Sequence, residues 1–149
     1  CGKLLWAAHR NPGMQTFLFG DQVEIPLRFG KHAGEVRVSG EYAINVQCSW
    51  RVIEGNCIVV AGDDRFGFEG GEHVLVAKLG EWIRRGPYIV ESIVQHLAGM
   101  VSVMMFDGCA LQIVPSCSLV GEYWRFFSVV NAADEPLVVD DRYLRDMAL

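Results

Sequence analysis

Between Tyr42 and Val52 the side chains alternate strictly, with Tyr42, Ile44, Val46, Cys48, Trp50 and Val52 set against Ala43, Asn45, Gln47, Ser49 and Arg51. A period of two over that length belongs to a β-strand with one buried face, because only in a strand do residues i, i+2 and i+4 line one side. Any fold for this chain must seat that strand on a core. Glu54-Gly55 then turns it back into Cys57 to Ala61, and a loop of two residues sets Val52 opposite Cys57, Trp50 opposite Val59 and Cys48 opposite Ala61. Cys48 and Cys57 do not face each other in that register, so no disulfide is expected between them.

Further strands follow from turn chemistry. Asp107-Gly108 separates "MVSVMMF" from "CALQIVP" and predicts a hairpin with a type I′ turn, since Asp-Gly supplies positive φ angles. "PYIVESIVQHLAG" is ambiguous by period alone: Ile89, Val90, Ile93, Val94 and Leu97 fit a helical stripe, yet four of these five are β-branched. A strand from Tyr88 to Gln95, turning at His96 to Gly99, is expected. The N-terminal part reads as short strands, "KLLWAAH", "QTFLFG", "QVEIPLRFG" and "EVRVSG", divided by Pro-Gly, Gly-Asp and Gly-Lys turns.

One helix is well punctuated, near residues 73–85. Leu75, Leu79, Trp82 and Ile83 share a face, Glu72 sits at the start, Arg84 and Arg85 at the end, and Gly86-Pro87 stops it. A short C-terminal helix is expected in "DDRYLRDMAL", with Asp140 as cap and Tyr143, Leu144 and Met147 on one side. The whole reads as one α+β domain over 1–149, predominantly antiparallel β in hairpins and meanders, with one main helix.

Length agrees with that reading, since a chain of 149 residues suits a single domain burying about 70% of the surface its unfolded form exposes. Apolar residues make up 51% and charged residues 21%, a globular composition with apolar surface to spare for a partner. No apolar run approaches the ~20 residues needed to span a bilayer. The net charge of −5 repels phosphate backbones, so nucleic acid is not an expected partner. The chain opens on Cys1-Gly2, which suits a lipid-bearing end, but Lys3 to Ala8 reads as ordered at once without a polar tether, so a trimmed start is expected. Five cysteines without a C-x-x-C pair, and four histidines scattered singly, give neither a disulfide framework nor a metal-ligand spacing. Reduced thiols, a cytoplasmic location and no cofactor are expected.

"GEY" followed by "WR" occurs twice, at 40–51 and again in "GEYWRFF", residues 121–127. Tyr42 and Trp50 are eight residues apart and share a face, whereas Tyr123 and Trp124 are adjacent and point to opposite faces, so the likeness is not a structural duplication. In both copies Arg follows Trp. Arg51 and Arg125, if they converge beside Trp50 and Trp124, make a pocket that fixes a carboxylate or phosphate; otherwise they are solvent-facing strand arginines paired with local acids.

"GEYAINVQCSWRVIEGNCIVVAGDD", with "LQIVPSCSLVGEYWRFF", resembles a family of small bacterial proteins sharing a strand of the form GEYALHVQCxWRI and a later strand ending in EYWRLF or EHWRLF. The likeness runs from Met14 to about Val129. It implies a strand at Tyr88 to Gln95, where that pattern is Val-rich, and it implies a fold but no activity. Asn45 stands where the pattern often has His, so no base or ligand is implied there.

"GDDRFGFEGGE", residues 62–72, is the most unusual segment, gathering Asp63, Asp64, Glu69 and Glu72 with Arg65, Phe66 and Phe68 among glycines. The alternating ladder of a calcium loop is missing. Aromatics interleaved with glycine and charge suit a partner-binding surface, unless both phenylalanines fold back onto the core. No G-x-S-x-G, P-loop, G-x-G-x-x-G or H-E-x-x-H motif is present, and no catalytic residue is assigned. Two functions follow. The first is a non-catalytic interaction protein, of immunity or accessory type and carried on mobile DNA, that uses Asp63, Asp64, Arg65, Phe66, Phe68 and Glu69 against a basic protein such as a nuclease toxin. The second is a small-molecule binder with Trp50, Arg51, Trp124 and Arg125 around its ligand. A homodimer is also expected, from the apolar excess, unpaired edge strands and the amphipathic tail.

Overall fold

The computed structural model describes residues 1–27, 30–67, 69–117 and 120–146. Among them the elements run β1 (Leu4–Asn11), β2 (Met14–Pro26), β3 (Val36–Val46), β4 (Ser49–Glu54), β5 (Cys57–Ala61), α1 (Gly71–Arg85), β6 (Tyr88–Gln95), β7 (Val101–Met105), β8 (Cys109–Val114), β9 (Glu122–Ser128), β10 (Leu137–Asp140) and α2 (Asp141–Asp146). Short 3-10 turns lie at Gly62–Phe66 and Leu97–Gly99. All strand pairs are antiparallel, in the order β10-β9-β3-β2-β1-β6-β7-β8-β4-β5. The fold is α+β, predominantly antiparallel β with one main helix. Among the described residues no helix is long and apolar enough to cross a membrane.

The seam between β1 and β6 is short, Leu4 opposite Ile89 and Leu5 opposite Tyr88. One hydrophobic cluster takes Phe17, Phe19, Ile44, Val46 and Trp124 from one side of that seam and Trp50, Val52, Val60, Val103 and Leu111 from the other. The two half-sheets therefore close on a shared core. Phe17 and Trp50 meet edge-on across it, ring centroids 5.1 Å apart. α1 adds Leu75, Leu79 and Trp82 to the same core, the spacing that put them on one face in the sequence. Trp82 stacks on Tyr88 at 4.7 Å, and the Tyr88 hydroxyl donates to the Trp82 carbonyl at 2.7 Å, fixing the end of the helix to the start of β6.

The alternating run at 42–52 is two strands and not one. β3 ends at Val46 between β2 and β9, while β4 begins at Ser49 between β8 and β5, so Gln47-Cys48 carries the chain from one half-sheet to the other. The crossing keeps parity: Ile44 and Val46 before it, Trp50 and Val52 after it, are all buried in one cluster. A bend between half-sheets that share a core leaves no mark on a period-two pattern. Consequently β4, β5, α1, β6, β7 and β8 form one unbroken stretch of chain, with β1–β3 before it and β9–β10 after it.

Other expectations are corrected in detail. The β4–β5 loop is Gly55-Asn56, pairing Glu54 with Cys57, Ile53 with Ile58 and, past a bulge, Val52 with Val60. The β7–β8 hairpin forms as expected, but Asp107 is not at positive φ; only Gly108 is, at 85°, with its N–H donating to Met105 O at 2.9 Å. The connection is thus a type I turn with a left-handed glycine after it, and not type I′. Gly20-Asp21 is no turn: β2 runs through it with a register shift between Phe19 and Gln22. Gly20, at φ 80°, makes a bulge, which asks for the same left-handed glycine that a turn does.

Beyond that bulge, among the described residues, Gln22 to Pro26 of β2 pairs with Val36 to Gly40 of β3 and with no other strand. The hairpin leaves the body as an arm with Val36 and Val38 exposed. At the other end of the chain, the Asp140 carboxylate accepts from the Arg142 and Tyr143 N–H groups, capping α2, and Tyr143 and Leu144 pack on the main core. Met147 lies outside the described residues.

Candidate functional site

Gln47-Cys48, the crossing, opens beside Trp50, and two glycines bring the 62–72 segment down on it. A Cβ on Gly62 would lie 2.8 Å from Trp50 Nε1, and a Cβ on Gly71 would fall 1.8 Å from the Arg65 carbonyl oxygen. Both positions exclude a side chain, so the 3-10 turn passes directly over the indole and α1 starts against the backbone of Arg65. Arg10, at the end of β1, and Ser116-Cys117, after β8, complete the walls of a cavity of about 170 Å³.

Polar groups dominate that cavity. The Ser49 and Ser116 hydroxyls share a hydrogen bond of 2.9 Å. Arg10 donates to Glu72 from Nε at 3.3 Å and from Nη2 at 3.4 Å, and Arg65 Nη1 stands 3.8 Å from the same carboxylate. The hydrogen bond from Arg10 holds the Glu72 carboxyl below the usual carboxylate range. Arg65 Nε is buried without an acceptor among the described residues. Two thiols, Cys48 and Cys117, also face the cavity. Burial pushes the Cys48 thiol up to about 12, so at neutral pH it is protonated and a poor nucleophile. The site has the donors of a binding pocket and no activated nucleophile among the described residues.

Of the residues assigned to partner binding, Asp63 and Arg65 line this cavity. Asp64 accepts from the Ala61 N–H at 3.3 Å and from Lys78 Nζ at 3.1 Å, so its charge is spent locally. Phe66 does not fold back: it is 72% exposed, with the Arg65 guanidinium 4.4 Å from its ring centroid. Glu69 is exposed and Phe68 lies outside the described residues. Among the described residues no group of three His, Cys, Asp or Glu side chains is placed to hold a metal ion.

The other four sequence candidates are not gathered. Trp50 lines the cavity, but Arg51 donates to Gln112 Oε1 at 2.8 Å on the outside of β4. Trp124 Nε1 donates to the Gly99 carbonyl at 2.9 Å, and Arg125 is paired bidentately with Glu122. Sequence reasoning missed Arg10 and Ser116, which reach the site from 62 residues before Glu72 and 67 residues after Ser49. A separate apolar cleft of about 220 Å³ opens between the half-sheets among Phe19, Tyr42, Ile44, Val90, Val103 and Phe126, with Lys3 donating to Glu41 at 2.6 Å nearby. No protein-family model, curated protein or solved structure matches the chain.

Proposed function

We propose that the chain is a non-catalytic interaction protein, of immunity or accessory type, whose protein partner docks on the segment from Gly62 to Glu72. The observation that carries this reading is Phe66, a large aromatic left 72% exposed on an ordered turn and backed by a guanidinium. Beyond the contact with that guanidinium, holding such a ring in water gains the fold little, whereas a partner pocket that covers it gains the hydrophobic term for its exposed area. Asp63 and Glu69 stand exposed around it, and with a net charge of −5 they favour a basic partner and speed its approach. Because Asp64 and Glu72 are tied to Lys78, Arg10 and Arg65, the aromatic and not the acidity supplies most of the affinity.

Affinity capture from the native cells, followed by titration of the purified partner, tests this. Phe66→Ala is expected to weaken binding by about 2 kcal/mol or more, roughly 30-fold, while Asp63→Asn chiefly slows association and flattens its salt dependence. Equal affinity of Phe66→Ala and the parent protein would end the reading. Self-association belongs to the same proposal, with the exposed arm of β2 and β3 as its surface; Tyr143 and Leu144 of α2 are partly buried against the core.

A further inference from the structure

The two arginines at the polar cavity are short of acceptors. Arg10 has a side chain only 12% exposed and Arg65 one 30% exposed, yet both rely on a single carboxylate, Glu72, that is itself 57% exposed. Their contacts to it are 3.3, 3.4 and 3.8 Å, long beside the ~2.7–2.9 Å of a well-made charge-assisted pair. The same chain makes such pairs elsewhere: Arg85 donates to both oxygens of Glu54 at 2.6 and 2.7 Å. The Arg65 side chain makes no hydrogen bond among the described residues, and its Nε is closed off without a partner. Asp63, at the rim of the cavity, is within ion-pair reach of neither arginine. Glu72 and Asp63 balance the two arginines in number, but Asp63 reaches neither and Glu72 holds both only loosely, so what the cavity offers an anion is free guanidinium donors and not a net positive charge.

We propose that this cavity binds a small oxyanion, a phosphate group, between Arg10 and Arg65. The guanidinium forks match the geometry of phosphate oxygens, and the Ser49–Ser116 hydroxyl pair, whose mutual hydrogen bond leaves one O–H free to turn to a ligand, supplies a neutral donor in the same cavity. Room is sufficient, since about 170 Å³ corresponds to about six waters. Glu72 is the incumbent counterion and, being mostly exposed, turns out to solvent as the phosphate enters. Binding here needs the cavity and its arginines but no partner, while Arg65, which stacks on Phe66, and Asp63 belong to both readings.

Titration of the full chain with inorganic phosphate at constant ionic strength, followed by calorimetry and by tryptophan fluorescence, to which Trp50 in the cavity wall contributes, tests the proposal. Saturable binding is expected, weakened about 10-fold or more in both Arg10→Gln and Arg65→Gln. Glu72→Gln and Asp63→Asn are expected to tighten it, because each removes a competing negative charge. Arg84→Gln, which alters net charge by the same amount at the far end of α1, about 18 Å along the helix from Glu72, should leave it unchanged. A loss in Arg84→Gln equal to that in Arg65→Gln would reduce the effect to net charge and overturn the site. Weakening in Glu72→Gln would show that the carboxylate is structural and not an incumbent. Thermal unfolding of each variant separates lost binding from lost folding, and Arg65→Lys, which keeps the charge but not the fork, is expected to fall between parent and Arg65→Gln. Acetate bound as tightly as phosphate would replace the phosphoryl assignment with a carboxylate.

Discussion

Burial sets the titration of several single residues, and all in the same sense. Cys48 and Tyr88 are raised to about 12, from 9.0 and 10.0 respectively, and Cys109 and Tyr123 are raised as well, each chiefly because desolvation penalises the charged form. A group whose folded pKa lies above its unfolded value stabilises the fold fully below the unfolded value and loses that contribution as pH rises toward the folded one. The urea midpoint should therefore stay level from neutral pH to about 9 and fall between about 9 and 12. Cys48→Ala should make the fall shallower; an unchanged slope would mean the thiol is not desolvated. At this scale the sequence was informative only where a residue's neighbours are close along the chain. The doubled motif singled out Trp50 and Arg51 together, and the fold puts Trp50 at the cavity and Arg51 outside β4, while Arg10 and Ser116 carry no local pattern.

Elements with strong local signals formed where the pattern placed them. α1 had a face, charged ends and a Gly-Pro stop, and β6 had β-branched residues that outweighed its helical spacing. What misled was chemistry that serves two structures equally, as at Gly20, where a bulge and a turn need the same conformation, and at Gln47-Cys48, where a crossing keeps the alternation of a straight strand. α1 also carries a residue that works against it. Gly80 sits in the helix with nothing within 4 Å of where a Cβ would stand and without positive φ. Gly80→Ala is expected to stabilise the protein by about 0.5–1 kcal/mol, read as a higher urea midpoint with unchanged slope. A loss of stability would mean that α1 is held in a conformation only glycine tolerates.

The whole molecule exposes apolar side chains on several elements, the β2–β3 arm and β6 among them. Val36 and Val38 lie on an arm paired to nothing but itself, and an isolated two-stranded ribbon is marginal in water. Sedimentation at micromolar concentration is expected to give a two-fold dimer, and Val36→Lys/Val38→Lys to give a folded monomer, since lysine blunts an exposed edge at small cost to the fold. A parent protein that sediments as a monomer would refute this, as would a dimer indifferent to the double substitution. The crossing at Gln47-Cys48 also orders events in time. On the ribosome the strands from β4 to β8 emerge as one uninterrupted run, but β3 must wait for β9, and Gln47 and its later neighbour Glu122 are 75 residues apart. At roughly 5–20 residues per second the wait lasts about 4 to 15 s. Throughout it the edge of β3 from Tyr42 to Val46 is unclaimed, the backbone that Trp124 to Ser128 will later cover. That edge, rather than any strand of the finished sheet, is what codon speed or a chaperone would have to shield during translation.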